Sequence, residues 1–324
     1  HTRLVSDWSS DVCSSDLYSF RSKLFANNVK YNKLGSIAPA LTNAILNTPF
    51  AKAAMGVAQQ RSVPKLAPKT LKKWVKKQPK TSHAKTVYFF CDEFTNFYDV
   101  TIGKDAFYLF DKLGYNLKLI AHEESGRSFI SKGFLKQAKA ICNLNVAIFK
   151  DLITEEMPLI GIEPSAILTF RDEYIRLADD TASAERIAKN AFTFEEFLAK
   201  EFEKGAFNAD LFTSTTKTLK IHGHCHQKAL SGTHSSFQIL NIPKNYGVTI
   251  MNTGCCGMAG SFGYEKEHYA ISMQVGEDTL FPKIRNTSLE TEIVAAGTSC
   301  RHQIYDGTER LAKHPITILK EALK

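Results

Sequence analysis

The 324-residue sequence predicts an α/β protein: two pseudo-repeated parallel βαβ domains behind an N-terminal helical segment. Three observations carry this expectation. Short apolar runs alternate with helical stretches, which implies parallel βαβ units. The same order of elements returns after roughly 130 residues, too long a period for a solenoid. Four of the seven cysteines fall after residue 216, each close behind an apolar run.

Taken in order, residues 1–17 carry the doublet Ser9-Ser10-Asp11-Val12 and Ser14-Ser15-Asp16-Leu17. They show neither helical nor strand periodicity and resemble translated sequencing-adaptor read-through, so they and Cys13 carry no fold expectation. The natural chain is therefore expected to begin further upstream. Residues 18–85 form a helical segment, with Leu41, Ile45 and Leu46 on one face, and a Lys-rich linker broken by Pro64, Pro68 and Pro79. Residues 86–205 form the first repeat, with strands at Thr86–Cys91, Tyr115–Ile120 and Pro158–Ile162 and a closing helix near Phe192–Lys204. Residues 206–324 form the second. Its strands are Thr218–His222, Gly247–Met251 and Glu292–Ala296, the last running towards Cys300.

The two halves overlay when Leu113-Gly114-Tyr115 is set against Tyr246-Gly247-Val248. Glu123-Glu124-Ser125-Gly126 then meets Gly254-Cys255-Cys256-Gly257, and Gly161–Pro164 meets Gly297–Cys300. On this overlay acids, Ser125 and Pro164 replace the cysteines of the first repeat, which is expected to bind no cluster of its own. Cys91 aligns loosely with Cys225 but has no partner thiols, and both it and Cys142 read as structural.

Composition narrows the function classes. With 44% hydrophobic and 23% charged residues, the chain has a soluble globular balance. The net charge of +8 is local: Lys65–Lys85 holds eight lysines and no acid, and the remainder sums to zero. Such a run reads as a solvated linker rather than a nucleic-acid patch, with peripheral contact to anionic lipid left open. No apolar run is long enough for a membrane span. Seven cysteines are too few for a secreted disulfide scaffold, and no secretory signal is present. The expected compartment is the cytoplasm, including the cytoplasmic face of the inner membrane. Neither Gly161–Pro164 nor Gly257–Gly260 is followed by a Lys-Ser/Thr pair, which argues against nucleotide binding.

Cysteine chemistry is the strongest signal. Ligands of open parallel sheets bind beyond the carboxyl ends of the strands. Cys225, Cys255, Cys256 and Cys300 each follow a predicted strand, so three segments would converge despite gaps of 29 and 43 residues. Four thiolates suit an iron–sulfur cluster. Structural zinc remains the alternative, although its usual Cys-x-x-Cys knuckles are absent. Alternation on an extended segment would point His222, His224 and His226 to one face, as neighbours of the cluster sulfurs. His302, just after Cys300, is a further neighbour or substitute ligand. Glu93, Asn96, Glu124, Arg127, Glu163 and Arg171 would line the strand ends of the first repeat. They read either as a decayed site filled by salt bridges or as a polar crevice that docks a flavin domain or a small acid.

The spacing Cys225 … Cys255-Cys256-Gly257 … Cys300 resembles the cysteine-rich CCG domain. That domain occurs in the cysteine-rich subunit of heterodisulfide reductase and in the iron–sulfur subunits of glycolate and glycerol-3-phosphate dehydrogenases. The segments His222–Ala229, Gly257–Glu265 and Gly297–Ile304 resemble the C-terminal end of large fused FAD/iron–sulfur proteins, similar to D-lactate and D-2-hydroxyglutarate dehydrogenases. Asp92–Asn96, Glu124–Arg127 and Gly161–Ser165 fit the same group. The resemblance implies a 4Fe-4S cluster on Cys225, Cys255, Cys256 and Cys300. It also implies partner domains upstream, one FAD-binding and one ferredoxin-like, and an electron acceptor such as a quinone or cytochrome. Neither a flavin-binding stretch nor a Cys-x-x-Cys-x-x-Cys run is in this sequence. The chain is thus expected to be an electron-transfer portion, not catalytic alone. Gln303 stands where the fullest CCG pattern has its last cysteine, which disfavours a five-cysteine noncubane cluster. The competing expectation from another class is a zinc-stabilised or clusterless scaffold that holds a partner.

Overall fold

The computed structural model describes residues 18–79 and 82–324. The adaptor-like doublet and Cys13 lie outside the described residues. Two four-stranded sheets organise the rest. The first holds β1 (Lys85–Phe89), β2 (Tyr115–Lys118), β3 (Leu159–Gly161) and β4 (Ala191–Thr193) in the order β2-β1-β3-β4. The second holds β5 (Lys217–His222), β6 (Tyr246–Ile250), β7 (Glu292–Ala295) and β8 (Ala312–Lys313) in the order β6-β5-β7-β8. Every pairing is parallel. The chain is an α/β protein with a doubled parallel sheet behind a helical N-terminal segment.

The central strands follow from their composition. Val87, Tyr88 and Phe89 are buried in succession, as a parallel strand covered on both faces requires. The edge strands β4 and β8 have only three and two residues, too few to leave a periodic signature. β4 occupies the start of the stretch read as helical. The helix proper, Phe194–Glu203, begins at a capping box: Thr193 Oγ1 accepts the Glu196 N–H, and Glu196 reaches back to the Thr193 N–H.

Register corrects the overlay of the repeats. Lys85 pairs with Tyr115 and Lys217 with Tyr246, so Tyr115 corresponds to Tyr246 rather than to Val248. The difference is two residues, which preserves the faces of the strand.

The repeats exchange helices. Val100–Lys112 of the first packs on Pro315–Glu321 of the second, and Phe194–Glu203 of the first packs on His234–Leu240 of the second. The two repeats share an apolar cluster, in which Phe89, Leu109 and Phe197 meet Leu219, Ile239 and Leu319. Among the described residues, short helices run from Phe20 to Met55 in the N-terminal segment, two of them opened by Pro39 and Pro49 at the favoured first position. Leu41 and Ile45, which share one helical face, are 62% and 51% exposed, because Pro39–Leu46 packs at the periphery and buries none of its residues. The Lys-rich run is pinned: Leu66 and Leu71 are buried, and Lys72 Nζ donates to the His122 carbonyl at 3.1 Å. No helix among the described residues is long and apolar enough to cross a membrane.

Glu195 is fully buried where the repeats meet. Its Oε1 lies 3.4 Å from both Gln227 Nε2 and Ser236 Oγ, and burial pushes its carboxyl up to about 7. An unfolded carboxyl releases its proton near 4.5, so between these values the folded state binds more protons. Stability therefore falls as pH rises through that window, by up to about 1.4 kcal/mol per pH unit. Glu195→Gln removes the titration. Denaturant unfolding of both proteins from pH 4.5 to 8 should show the variant gaining on the wild type as pH rises. Parallel profiles would contradict the assignment.

Candidate metal centre

Strand β5 lies between β6 and β7, so the segments leaving all three strands emerge side by side. His222 ends β5, and His224 caps the helix Cys225–Leu230. Cys255 and Cys256 lie in the loop after β6. Cys300 does not end a strand: β7 stops at Ala295, and Gly297 turns the chain into helix Thr298–Thr308, with Cys300 in its first turn.

The four thiols form a contact chain. The Cys256 and Cys300 sulfurs are 3.6 Å apart, and Cys255 interacts with Cys225 on one side and Cys256 on the other. Cys225 and Cys255 are exposed; Cys256 and Cys300 are buried. Sulfur contacts divide the protons unequally. Cys255 is pulled down to about 2 by Cys225 and Cys256, and Cys300 is held well below the usual thiol range by Cys256 despite its burial. Contact with Cys255 pushes Cys225 and Cys256 upward. The set thus favours thiolate at two positions, the form that binds metal.

The loop geometry depends on Gly257. Its φ is +92°, and a Cβ there would lie 2.2 Å from the Ser272 carbonyl oxygen. Its N–H donates to Cys255 Sγ at 3.3 Å. Lys228 Nζ holds the approach to the loop by donating to the Thr253 and Gly254 carbonyls at 2.6 and 3.2 Å.

His222 lies beside the buried sulfurs. Its Nδ1 pairs with Thr253 Oγ1 at 2.7 Å, and its ring is a side-chain hydrogen-bond partner of Cys300. A His222 ring nitrogen and the Cys256 and Cys300 sulfurs lie within 4.8 Å of one another. Soft thiolates from three segments, with an imidazole at their buried end, fit a thiolate-bound iron–sulfur or zinc centre.

The other histidines diverge: the extended backbone reaches His224, and helix Cys225–Leu230, starting at the next residue, turns His226 away. His224 Nδ1 accepts the His226 N–H at 3.2 Å, and its ring lies against Gly297. His226 instead faces Glu173, 3.9 Å away, in the first repeat. His302 packs edge-on to Tyr264, with ring centres 6.5 Å apart.

Residues of the first repeat and the N-terminal segment hold the Cys300 helix, and nothing in their sequence announces it. Glu163 Oε2 accepts the Thr298 N–H at 2.8 Å, and Asp99 Oδ2 accepts from Thr298 Oγ1 and Arg301, both at 2.5 Å. Arg61, at the edge of the expected linker, is fully buried. It donates to Gln303 Oε1 at 2.5 Å, Ser272 Oγ at 2.8 Å and the Gly263 carbonyl at 2.7 Å. Gln303 therefore anchors the N-terminal segment behind the Cys255-Cys256-Gly257 loop. Breaking so buried a charged contact costs about 3–5 kcal/mol.

The first repeat supplies an internal comparison. Helix starts and strand register place Glu93 opposite Cys225, Glu124 opposite Cys255 and Ser125 opposite Cys256. The helices beginning at Pro164 and Thr298 place Ala166, not Pro164, opposite Cys300. Cys91 is therefore not the counterpart of Cys225; burial raises its thiol, and its N–H donates to His122 Nε2. Hydrogen bonds, more than salt bridges, fill the space: Glu93 accepts from the Ser125 N–H at 3.0 Å and from its Oγ at 2.7 Å. Glu124 is pushed up to about 8 by burial and then by Glu93. Arg127 pairs with Glu173 at the rim. Asn96 accepts from the Lys72 N–H, and Arg171 turns away to Glu196 at 2.7 Å. Cys142 is a core thiol pushed up to about 12 by burial.

The chain matches no protein-family model. It is 26% identical to a D-2-hydroxyglutarate dehydrogenase of Pantoea ananatis over 93% of its own length and 30% of that protein's. It is 27% identical to the protein of that name in Escherichia coli, over 74% of the chain and 23% of the relative. It is also 26% identical to one subunit of the anaerobic glycerol-3-phosphate dehydrogenase of Escherichia coli, over 84% of the chain and 68% of the relative. The chain thus spans under a third of the D-2-hydroxyglutarate dehydrogenases it matches, in their C-terminal part. Its homologues are oxidoreductases of these two kinds.

Gly257→Ala must shift the CCG loop away from the Ser272 carbonyl. It is expected to cost more than about 1 kcal/mol and to reduce metal retention. Gly260→Ala, where the nearest atom is a Ser131 side chain 3.6 Å away, should cost less. Thermal unfolding with metal analysis checks this; equal effects would refute the close approach at Gly257.

Proposed function

We propose that this chain is the iron–sulfur electron-transfer portion of an FAD-linked D-2-hydroxyacid dehydrogenase, of the D-2-hydroxyglutarate or D-lactate class. The observation that carries the reading is the convergence of Cys225, Cys255, Cys256 and Cys300 from three adjacent strand ends. The named relatives supply the oxidoreductase context. Oxidation of a 2-hydroxy acid to the 2-oxo acid releases two electrons and two protons to a flavin. A 4Fe-4S cluster, when bound, supplies a relay that passes those electrons singly towards an acceptor.

The chain's own residues have separate tasks. Cys256 and Cys300 form the buried floor, and exposed Cys225 and Cys255 form the rim that a redox partner would approach. The Gly257 N–H stabilises negative charge on Cys255 sulfur. Glu163 and Asp99 fix the helix carrying Cys300. The first repeat, with carboxylates and a serine in place of three of the thiols, supports this site structurally.

Anaerobically purified protein should be brown and contain iron and sulfide, with broad visible absorption that bleaches with dithionite. Cys255→Ser and Cys256→Ser should lose or destabilise the chromophore, and Cys142→Ser should keep it. A colourless protein carrying stoichiometric zinc would instead favour the scaffold reading. Equal iron in all three variants would overturn the ligand assignment.

A further inference from the structure

We propose that Lys228 and Lys283 are positioning residues that hold the loop ahead of Cys255 and offset the negative charge of the metal centre, raising its reduction potential. This rests on the reading of the four thiols as an iron–sulfur site and specifies how the chain adjusts it.

The first observation is a run of gripped carbonyls. Asn252, Thr253 and Gly254 lead from β6 into Cys255, and each of their carbonyl oxygens accepts from a lysine. Lys228 Nζ donates to Thr253 at 2.6 Å and to Gly254 at 3.2 Å, and Lys283 Nζ donates to Asn252. The two lysines reach the loop from different helices, Cys225–Leu230 and Tyr269–Arg285. An ammonium carries three donors and a full charge, so binding the carbonyls also leaves that charge at the loop.

The second is the path of Lys228. It lies one turn after Cys225 on the same helix, so the two residues share a face. Gly223 leaves room for the stem: a Cβ there would lie 2.9 Å from Lys228 Cε. The side chain thereby runs from the helix of one exposed sulfur, Cys225, to the loop of the other, Cys255. Its charge works against the upward push that Cys255 and burial exert on the Cys225 thiol.

The third is the internal comparison. Helix starts and register set Asn96 opposite Lys228 and His122 opposite Thr253. The first repeat thus has no lysine at the helix position, yet the His122 carbonyl also accepts from one, Lys72 Nζ, at 3.1 Å. Asn96 Oδ1 accepts the Lys72 N–H at 3.0 Å, so the side chain standing in the place of Lys228 seats the element that supplies the substitute. There the charge faces carboxyls, and Lys72 counteracts the upward push on Glu124. A carbonyl needs only a donor. Both repeats supply a cation two residues ahead of the group that takes negative charge, and in the first it comes from another element.

The consequence is electrostatic. Each electron that enters adds a negative charge to a centre that four thiolates already make anionic, and nearby cations favour that reduced state. The donor is the reduced flavin of the partner portion, which loses the electron that the centre gains.

The test is an anaerobic redox titration of the full chain, followed by visible absorbance, for wild type, Lys228→Gln, Lys283→Gln and Lys228→Arg. Glutamine keeps a donor and removes the charge; arginine keeps the charge. Both glutamine variants should titrate at lower potential than wild type, and Lys228→Arg close to it. Because both ammonium groups are exposed, the shifts should shrink as salt rises from about 0.01 M to about 1 M, where the screening length falls from about 30 Å to about 3 Å. Glutamine variants that keep their iron and titrate with wild type overturn the proposal and leave the iron–sulfur reading standing. A potential in Lys228→Arg lowered as far as in Lys228→Gln makes the contact purely structural and overturns it too. If the glutamine variants lose iron, retention in Lys228→Arg at the wild-type potential supports the charge, and loss there refutes it. Protein without a dithionite-bleached cluster refutes both the proposal and the reading on which it rests.

Discussion

The position of β5 between β6 and β7 is the constraint on which the site depends. A parallel pair needs a crossover of a dozen or more residues. Cysteines presented by adjacent parallel strands must therefore be far apart in sequence, as Cys225, Cys255 and Cys300 are. Adjacency alone places their loops together. What remains for the local sequence is to aim each sulfur: His224 starts the Cys225 helix, Gly257 lets the loop pass under the Ser272 carbonyl, and Gly297 turns the chain towards Cys300.

The second repeat does not build this arrangement alone. Its Cys300 helix is held at its N-terminal end by Glu163 and Asp99 and from behind by Arg61 through Gln303. These contacts join the first repeat and the N-terminal segment to the donor loops. Reciprocal helix packing and a shared core reinforce them. The first repeat keeps the topology of a ligand-binding domain while its own donor positions have become Glu93, Glu124, Ser125 and Ala166.

The doubled fold was legible because the central strands are continuous apolar runs and parallel sheets separate them with helices. The short strands β4 and β8 were not, since two or three residues carry no period. The four cysteines were legible because each follows a strand. The common face expected of His222, His224 and His226 fails because the extended backbone ends at His224 and the helix beginning at Cys225 turns His226 towards Glu173. Register, invisible in one sequence, moved the counterpart of Cys300 from Pro164 to Ala166 and that of Cys225 from Cys91 to Glu93. Arg61 left no signal: an arginine beside a lysine-rich stretch reads as solvated, and only the folded chain shows it buried against Gln303 and Asp306.

Mössbauer spectroscopy of the wild-type chain, expressed with 57Fe and purified without oxygen, tests the central claim most directly. Four thiols joined at three strand ends predict tetrahedral, sulfur-coordinated iron in a spin-coupled cluster, close to one cluster per chain. Absence of bound iron, or iron in an oxygen-rich octahedral environment, would contradict the account.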